Sequence, residues 1–372
     1  MSSARVAALR VNPSTVLEGV ERLCALAGLT QALAPGVATI LKDDIGWPFP
    51  FPGAHTTPWQ LEGTVVALRD AGFDRLSCVR ETPDGALVLG RRTPPRYGEL
   101  LDSLAIPLVN GTRGPLGRLR EYRPKAQLHV LHQLFPHGLQ LPEYFFGKNV
   151  VHLPVIRYQR STLVAGALRN AFRGLLHRNP DHAGSWLHMA LVDLLAIQKE
   201  IHPGLFTVVD GTTTTGMPGS PGTSPLVKDV MLASADPVAV DAVAAKLMGF
   251  DPMKIGFIRL AQEDGLGVGD PRDIELVGDD LSEEDWGFSV GLGTRVMYGQ
   301  TSRGGSHGWV ERLLLRPPIA KAVERGSGFY HDVHQWRQSE RALLARWRHG
   351  TRWGALFDAY VHGEHIIGRT RR

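Results

Sequence analysis

The chain has 372 residues, of which 43% are hydrophobic and 21% charged, and its formal net charge is +4. That is ordinary for a globular protein and enough for two domains, or one large domain with extensions. It carries no Lys/Arg run with interleaved aromatics, no CxxC pair and no run near the roughly 20 apolar residues that span a bilayer. The expectation excludes nucleic-acid binding, a cysteine-held zinc or iron–sulfur cluster, and a membrane span.

The start, MSSARVAALRVNPS, lacks the apolar core of a signal peptide. With only Cys24 and Cys78, two free thiols in a reducing cytoplasm are expected.

In chain order, residues 4–11 read as a strand, and Ser14 as the cap of a helix to about Leu26. Val37 to Leu41 reads as a short strand ending at Lys42-Asp43-Asp44. A Pro- and aromatic-rich loop follows. Thr56, Thr57 and Pro58 lie in that loop, ahead of a helix from Glu62 to Ala71. Arg75 to Val79 reads as a strand, and this βαβαβ order predicts parallel pairs. Pro83 to Pro124 reads as a Gly/Pro/Arg-rich insertion with a helix near Tyr97 to Leu104. Periodicity leaves Gln127 to Leu134 open between strand and helix. Val150 to Pro154 is a predicted strand, Leu163 to Leu176 a helix, and Trp186 to Glu200 an amphipathic helix.

Leu205 to Gly249 organises the chain. An apolar strand ends at Asp210-Gly211, and a Thr/Gly/Ser/Pro loop follows to Pro225. Val230 to Ala233 is a second strand, and Asp236-Pro237 opens a helix closed by Gly249. Lys254 to Asp264 is a helix, and Ile274 to Val277 an edge strand. After Leu281 the alternation stops, and Trp, Arg, His and Gly rise. Helices are expected at Trp309–Leu315, Ser339–Trp347 and Trp353–Tyr360. The predicted class is α/β, a mostly parallel sheet flanked by helices, with a helical C-terminal extension. Its parts are 1–150, an N-terminal half with the insertion, 151–280, a second half with the Asp motifs, and 281–372, the extension.

The chemistry-bearing candidates surround the strand-to-loop junctions. Asp210 sits where a buried strand meets a loop, the end that faces the ligand crevice in open α/β sheets. Asp236 fits a helix cap better than a reactive group. Asp241 lies inside an apolar helix, where an acid needs a partner, a polar cavity or a solvent-facing side. The loop after Asp210 is either an anion cradle or a lid, and it is not a P-loop, because no GK[ST] follows. GLGVGD at 265–270 follows a helix and reads as a C-cap turn rather than a dinucleotide fingerprint. The HxxH at 129–132 lacks a glutamate for a metal pair. His182 and His188, flanking the start of an amphipathic helix, are better candidates for a base or ligand. Lys42 and Asp44 end an early strand near the crevice. Arg157, Arg169 and Asn170 form a third polar group, suited to a carboxylate or phosphate or lying on a plain surface stripe with Arg160 and Arg173.

These motifs together resemble the family of the domain of unknown function numbered 362. The resemblance rests on Lys42 after an apolar strand, on Thr57-Pro58 before a helix ending in Ala71-Gly72, and on LPVIRYQ–ALRN–G at 153–174. It continues through VVDG at 208–211, PGSPG at 218–222, LASADPVAVDAVAAKLMGF at 232–250 and GLG at 265–267. It spans roughly residues 5–280 and implies an α/β fold. Many members carry ferredoxin-type cysteine clusters, which this chain lacks. Arg157-Tyr158-Gln159 stands where members usually have Lys-x-His, and Arg169-Asn170 where they have Lys-Asn.

The expected function is an enzyme acting on a small anionic metabolite without a redox cofactor. It would work by proton transfer: elimination, isomerisation or cyclisation, in specialised metabolism. Lys42, Asp44, Thr57, Arg157, Arg169 and Asn170 would hold the substrate, and Asp210, Asp241 or His188 would move a proton. The alternatives are a divalent-metal enzyme using Asp210, Asp241 and a histidine, and a non-catalytic ligand-binding or partner subunit docked through the extension. A homodimer through the extension is also expected.

Overall fold

The computed structural model describes residues 4–45, 53–80, 97–110, 115–159, 161–175, 186–215, 225–288 and 341–361. In chain order the strands are β1 (Ala4–Arg10), β2 (Thr39–Asp43), β3 (Leu76–Arg80), β4 (Leu108–Asn110), β5 (Leu119–Tyr122), β6 (Leu139–Pro142), β7 (Asn149–Leu153) and β8 (Val155–Gln159). They continue with β9 (Leu163–Ala165), β10 (Leu205–Thr215), β11 (Leu226–Ser234) and β12 (Ile274–Gly278). The helices are α1 (Val16–Leu26), α2 (Leu29–Ala32), α3 (Pro58–Asp70), α4 (Tyr97–Ser103), α5 (Leu131–Leu134) and α6 (Ala167–Leu175). After them come α7 (Leu187–Ile201), α8 (Pro237–Leu247), α9 (Gly256–Glu263), α10 (Arg341–Gly350) and α11 (Arg352–Val361).

One sheet runs in the order β12-β1-β11-β10-β7-β2-β3-β4. The neighbours from β10 through β7, β2 and β3 to β4 are parallel, while β11 is antiparallel to both β10 and β1. The strand β8 continues β7 past Pro154, pairs with β10, and turns back into β9. The fold is therefore mixed α/β, with a mostly parallel sheet flanked by helices. Its strands come from both sides of residue 150. Among the described residues no helix is long and apolar enough to cross a membrane.

Side chains alternate between the two faces of each strand, which builds two cores. On one face Leu41, Val151, Val208 and Met231 pack with α1, α3, α4 and the C-terminal pair α10–α11. On the other Ile40, Val150, Val209 and Leu232 pack with α6, α7, α8 and α9.

The boundaries depart from the sequence reading at several elements. The first helix starts at Val16 after Thr15, and Ser14 does not cap it; its backbone N–H and hydroxyl instead donate to Asn12 Oδ1. Helix α3 starts four residues earlier than expected, because Thr57 and Gln60 form a reciprocal capping box and Pro58 occupies the first turn. The stretch 163–176 is not all helix, since β8 and β9 make a short hairpin before α6. Strand β10 runs on to Thr215, so four threonines assigned to the loop belong to the sheet, all of them buried. Strand β1 pairs with β11 and β12, not with β2. The reason is that β11 returns antiparallel from β10 and separates the two. The expected helix at 309–315 lies outside the described residues.

Candidate functional site at the switch point of the sheet

Strand β2 leads through α3 to β3 on one side, and β7 leads through α6 and α7 to β10 on the other. The chain thus departs in opposite directions from two neighbouring parallel strands, and α3 and α6 cover opposite faces. That is a topological switch point, and in such sheets the ligand crevice opens outside the carboxyl ends of the two strands. The ends here are Lys42-Asp43 on β2 and His152-Leu153 on β7, aligned in register.

Lys42 is 3% exposed. Its Nζ donates to the Asp43 carbonyl at 2.7 Å, and it makes no ion pair among the described residues. On the opposite face Asp43 accepts from Arg80 Nε at 2.6 Å, a pair almost wholly buried. The Cys78 thiol sits 3.6 Å from the same carboxylate, and burial pushes it well above its usual range, which disfavours the reactive thiolate. Asp44 faces the Arg157 guanidinium at 3.1 Å, and Arg157 also donates to the Ala54 carbonyl at 2.6 Å. Thr56 ties this loop to β7: its hydroxyl donates to the Leu153 carbonyl at 2.6 Å and accepts from the Asp44 amide at 2.7 Å. Asn170, in the first turn of α6, donates from Nδ2 to the Lys42 carbonyl at 2.9 Å. Arg169 beside it is half-buried, and its charge helps to hold His188 neutral.

The three candidate proton carriers occupy distinct places. Asp210 is on the α3 face, at the end of the central part of β10. Its carboxylate accepts from the Thr57 hydroxyl, from Trp59 Nε1 at 2.8 Å and from the Thr212 amide at 2.6 Å. Burial holds its pKa above the usual value despite those donors. Asp241 lies on the other face. Its two oxygens accept the Ala167 and Leu168 amides at 2.6 and 3.1 Å, so it caps α6 from a neighbouring helix. Burial is the main cause that raises it to about 7, with the Asp236 charge adding to it. Its approach depends on Gly166, where a Cβ would collide with the carboxylate.

His188 is half-buried; its Nδ1 accepts the Phe257 amide at 3.0 Å at the start of α9. Burial lowers its pKa to about 4, against a hydrogen bond to the Ser161 backbone. His182 lies outside the described residues.

Lys42 and Asp241 therefore share a face and are joined through the first turn of α6, whereas Asp210 is across the sheet. Among the described residues no group of three His, Cys, Asp or Glu is placed to hold a metal ion. Asp236 caps α8 through Oδ1, at 2.8 and 3.1 Å from the Val238 and Ala239 amides. Its Oδ2 takes the Val268 amide at 2.9 Å, so the glycine turn at 265–267 docks onto this cap. His129 pairs with Asp264 at 2.6 Å, while His132 points to solvent.

His152, which is not among the histidines singled out from the sequence, is at the centre of the switch point. It is 3% exposed and directly opposite Lys42. A histidine ending an otherwise apolar strand, NVVHL, was the available signal.

These features define an α/β protein with a buried polar cluster at the carboxyl ends of its parallel strands. Residues 119–246 match the model of the family described as Domain of unknown function (DUF362), the family that the motifs resemble. The match takes in Arg157, Arg169, Asn170, Asp210 and Asp241, and leaves out Lys42 and Thr57. No curated protein matches the chain. A solved structure of a Thermotoga maritima protein is similar at 10% identity with a TM-score of 0.35; the match covers 68% of this chain and 60% of that one. The chain thus spans about 60% of the length of that solved protein.

Proposed function

We propose that this protein is an enzyme acting on a small anionic metabolite bound at the switch point between β2 and β7. The observation that carries this reading is Lys42. An ammonium group buried without a carboxylate is expensive, and evolution retains such a group where an anion completes it. Asp43 and Asp44 each pair with an arginine, and Lys42 makes no ion pair among the described residues. Arg157, half-buried on β8, borders the same rim and can supply a second cationic contact.

The chemistry that fits is proton transfer, as in elimination, isomerisation or cyclisation. Low-dielectric surroundings strengthen every electrostatic contact to a developing anion. Asp241, raised to about 7, exchanges its proton near neutrality and holds the helix that positions Asn170 against Lys42. It acts in this reading as a positioning residue.

Lys42→Met keeps the length of the side chain and removes the charge. Calorimetric titration with succinate and inorganic phosphate should show binding to the wild type and at least a tenfold loss in the variant. Unchanged affinity in Lys42→Met would remove the reading. Mass spectrometry of small molecules carried through purification supplies the substrate for turnover assays. Full turnover by Asp241→Asn would then count against the role given to Asp241.

A further inference from the structure

The surroundings of Lys42 carry a second kind of polar atom. His152 is the cross-strand partner of Lys42 on β7. Paired residues of neighbouring strands project to the same face, with Cβ atoms about 5 Å apart. His152 Nε2 lies 2.9 Å from Gln198 Oε1 on α7. An amide oxygen only accepts, so Nε2 carries the hydrogen and Nδ1 is a bare lone pair. Nδ1 is buried and has no hydrogen-bond partner among the described residues. Burial, with the charges of Lys42 from β2 and His202 from the end of α7, lowers the imidazole pKa to about 3 against the Gln198 hydrogen bond. The ring is therefore a neutral acceptor at physiological pH.

Asn170 is also 3% exposed. Its Nδ2 is used on the Lys42 carbonyl, and its buried Oδ1 has no partner among the described residues. Buried acceptors left without a donor cost free energy, and native proteins rarely keep them without a use. One buried ammonium with spare hydrogens and two buried acceptors thus gather at the ends of β2 and β7.

We infer that the ligand of this site is a small hydroxy acid, with its anionic oxygen on Lys42 and its uncharged hydroxyl donating to His152 Nδ1 or Asn170 Oδ1. This deepens the reading of Lys42 as the anion-holding group and rests on it. A plain carboxylate satisfies Lys42 and leaves both acceptors empty. An amino acid offers donors, but its ammonium would sit beside the Lys42 ammonium, which makes no ion pair with a carboxylate among the described residues to offset the repulsion. A hydroxyl meets the acceptors without that conflict.

The test is calorimetric titration of the full chain with two matched pairs, glycolate against acetate and malate against succinate. The hydroxy member of at least one pair should bind about tenfold tighter or more, since a site built around a substrate hydroxyl rejects the analogue lacking it. His152→Leu should bring the hydroxy and plain members of the discriminated pair to similar affinities. Should the leucine variant fail to fold, the wild-type comparison decides alone. Equal affinity within both pairs overturns the inference while the anion site stands. If none of the four acids binds, the inference falls; if inorganic phosphate fails to bind as well, the anion site falls with it.

Discussion

At the scale of single residues, the buried charges separate ligand binding from stability. Lys42 is costly when no anion is bound to it, so Lys42→Met should raise the thermal midpoint while it weakens anion binding. A fall in the midpoint of several degrees would mark Lys42 as a structural group instead. Asp241 makes a pH prediction. Its folded pKa of about 7 lies above the unfolded value of 3.8. The protonated form is therefore favoured by folding, and the stability it contributes is fully present below about pH 4 and lost as pH rises through about 7. Asp210 and Asp236, also raised by burial, act in the same direction. Urea unfolding at pH 4.5, 5.5, 6.5 and 7.5 should show the wild type weakening towards pH 7.5, by an amount on the order of a few kcal/mol for Asp241. In Asp241→Asn the dependence should be shallower. A variant with the full wild-type slope would assign the titration elsewhere. Gly166→Ala should cost about 1–3 kcal/mol, because the new methyl displaces the carboxylate that caps α6.

At the scale of elements, capping decides where the site helices begin. The Thr57 side chain accepts the Gln60 amide, and Gln60 Nε2 reaches the carbonyls of Pro154 and Val208 at 2.9 and 2.7 Å. One residue of the capping box thus joins α3 to the end of β7 and to the body of β10. The Thr57 hydroxyl also donates to Asp210. Thr57→Ala should therefore cost more than the ~1 kcal/mol typical of an N-cap, since it also takes a donor from a buried carboxylate. Denaturant midpoints of Thr57→Ala and Thr57→Ser check this, with serine expected close to the wild type. Helix α7 shows the same dependence on neighbours. Its spacing reads as an amphipathic surface helix, yet Ala190 to Gln198 are all buried. Asp193 inside it accepts the amides of His129, Val130 and Leu131 at 2.7 to 2.8 Å, which explains an acid in that position.

At the scale of the whole molecule, the C-terminal helices complete the α3 face. Trp353 is 1% exposed and packs on Trp59 with ring centroids 4.9 Å apart. The Tyr360 hydroxyl donates to Glu62, a carboxylate with no solvent exposure in the middle of α3. Trp347 Nε1 lies 3.3 Å from Thr213 Oγ1 on β10. These aromatics serve this chain's own core, so the tryptophans of α10 and α11 are not an exposed docking patch. Since Trp59 also donates to Asp210, the extension buttresses one edge of the site from behind. Trp353→Ala should lower stability by about 3–5 kcal/mol. Its near-UV circular dichroism should lose the signal of the packed indole pair; a midpoint within 1 °C of the wild type would contradict this packing.

The order of strands and helices was legible because apolar spacing, turn residues and caps are local. The chain itself specified β10, the capped helix α8, the glycine stop at Gly249 and the turn after α9. It also singled out Lys42, Asp210 and Asp241 as residues that need an explanation. Which of them meet was not local. Residues two apart on a strand share a face, but the neighbour of that strand is set by the path of the chain. The insertion of β11 between β1 and β10, the switch between β2 and β7, and the opposite faces of Asp210 and Asp241 follow from that path. The pairing of Lys42 with His152, 110 residues later, arose only when the apolar faces of β2 and β7 were buried side by side and backbone hydrogen bonding set their register.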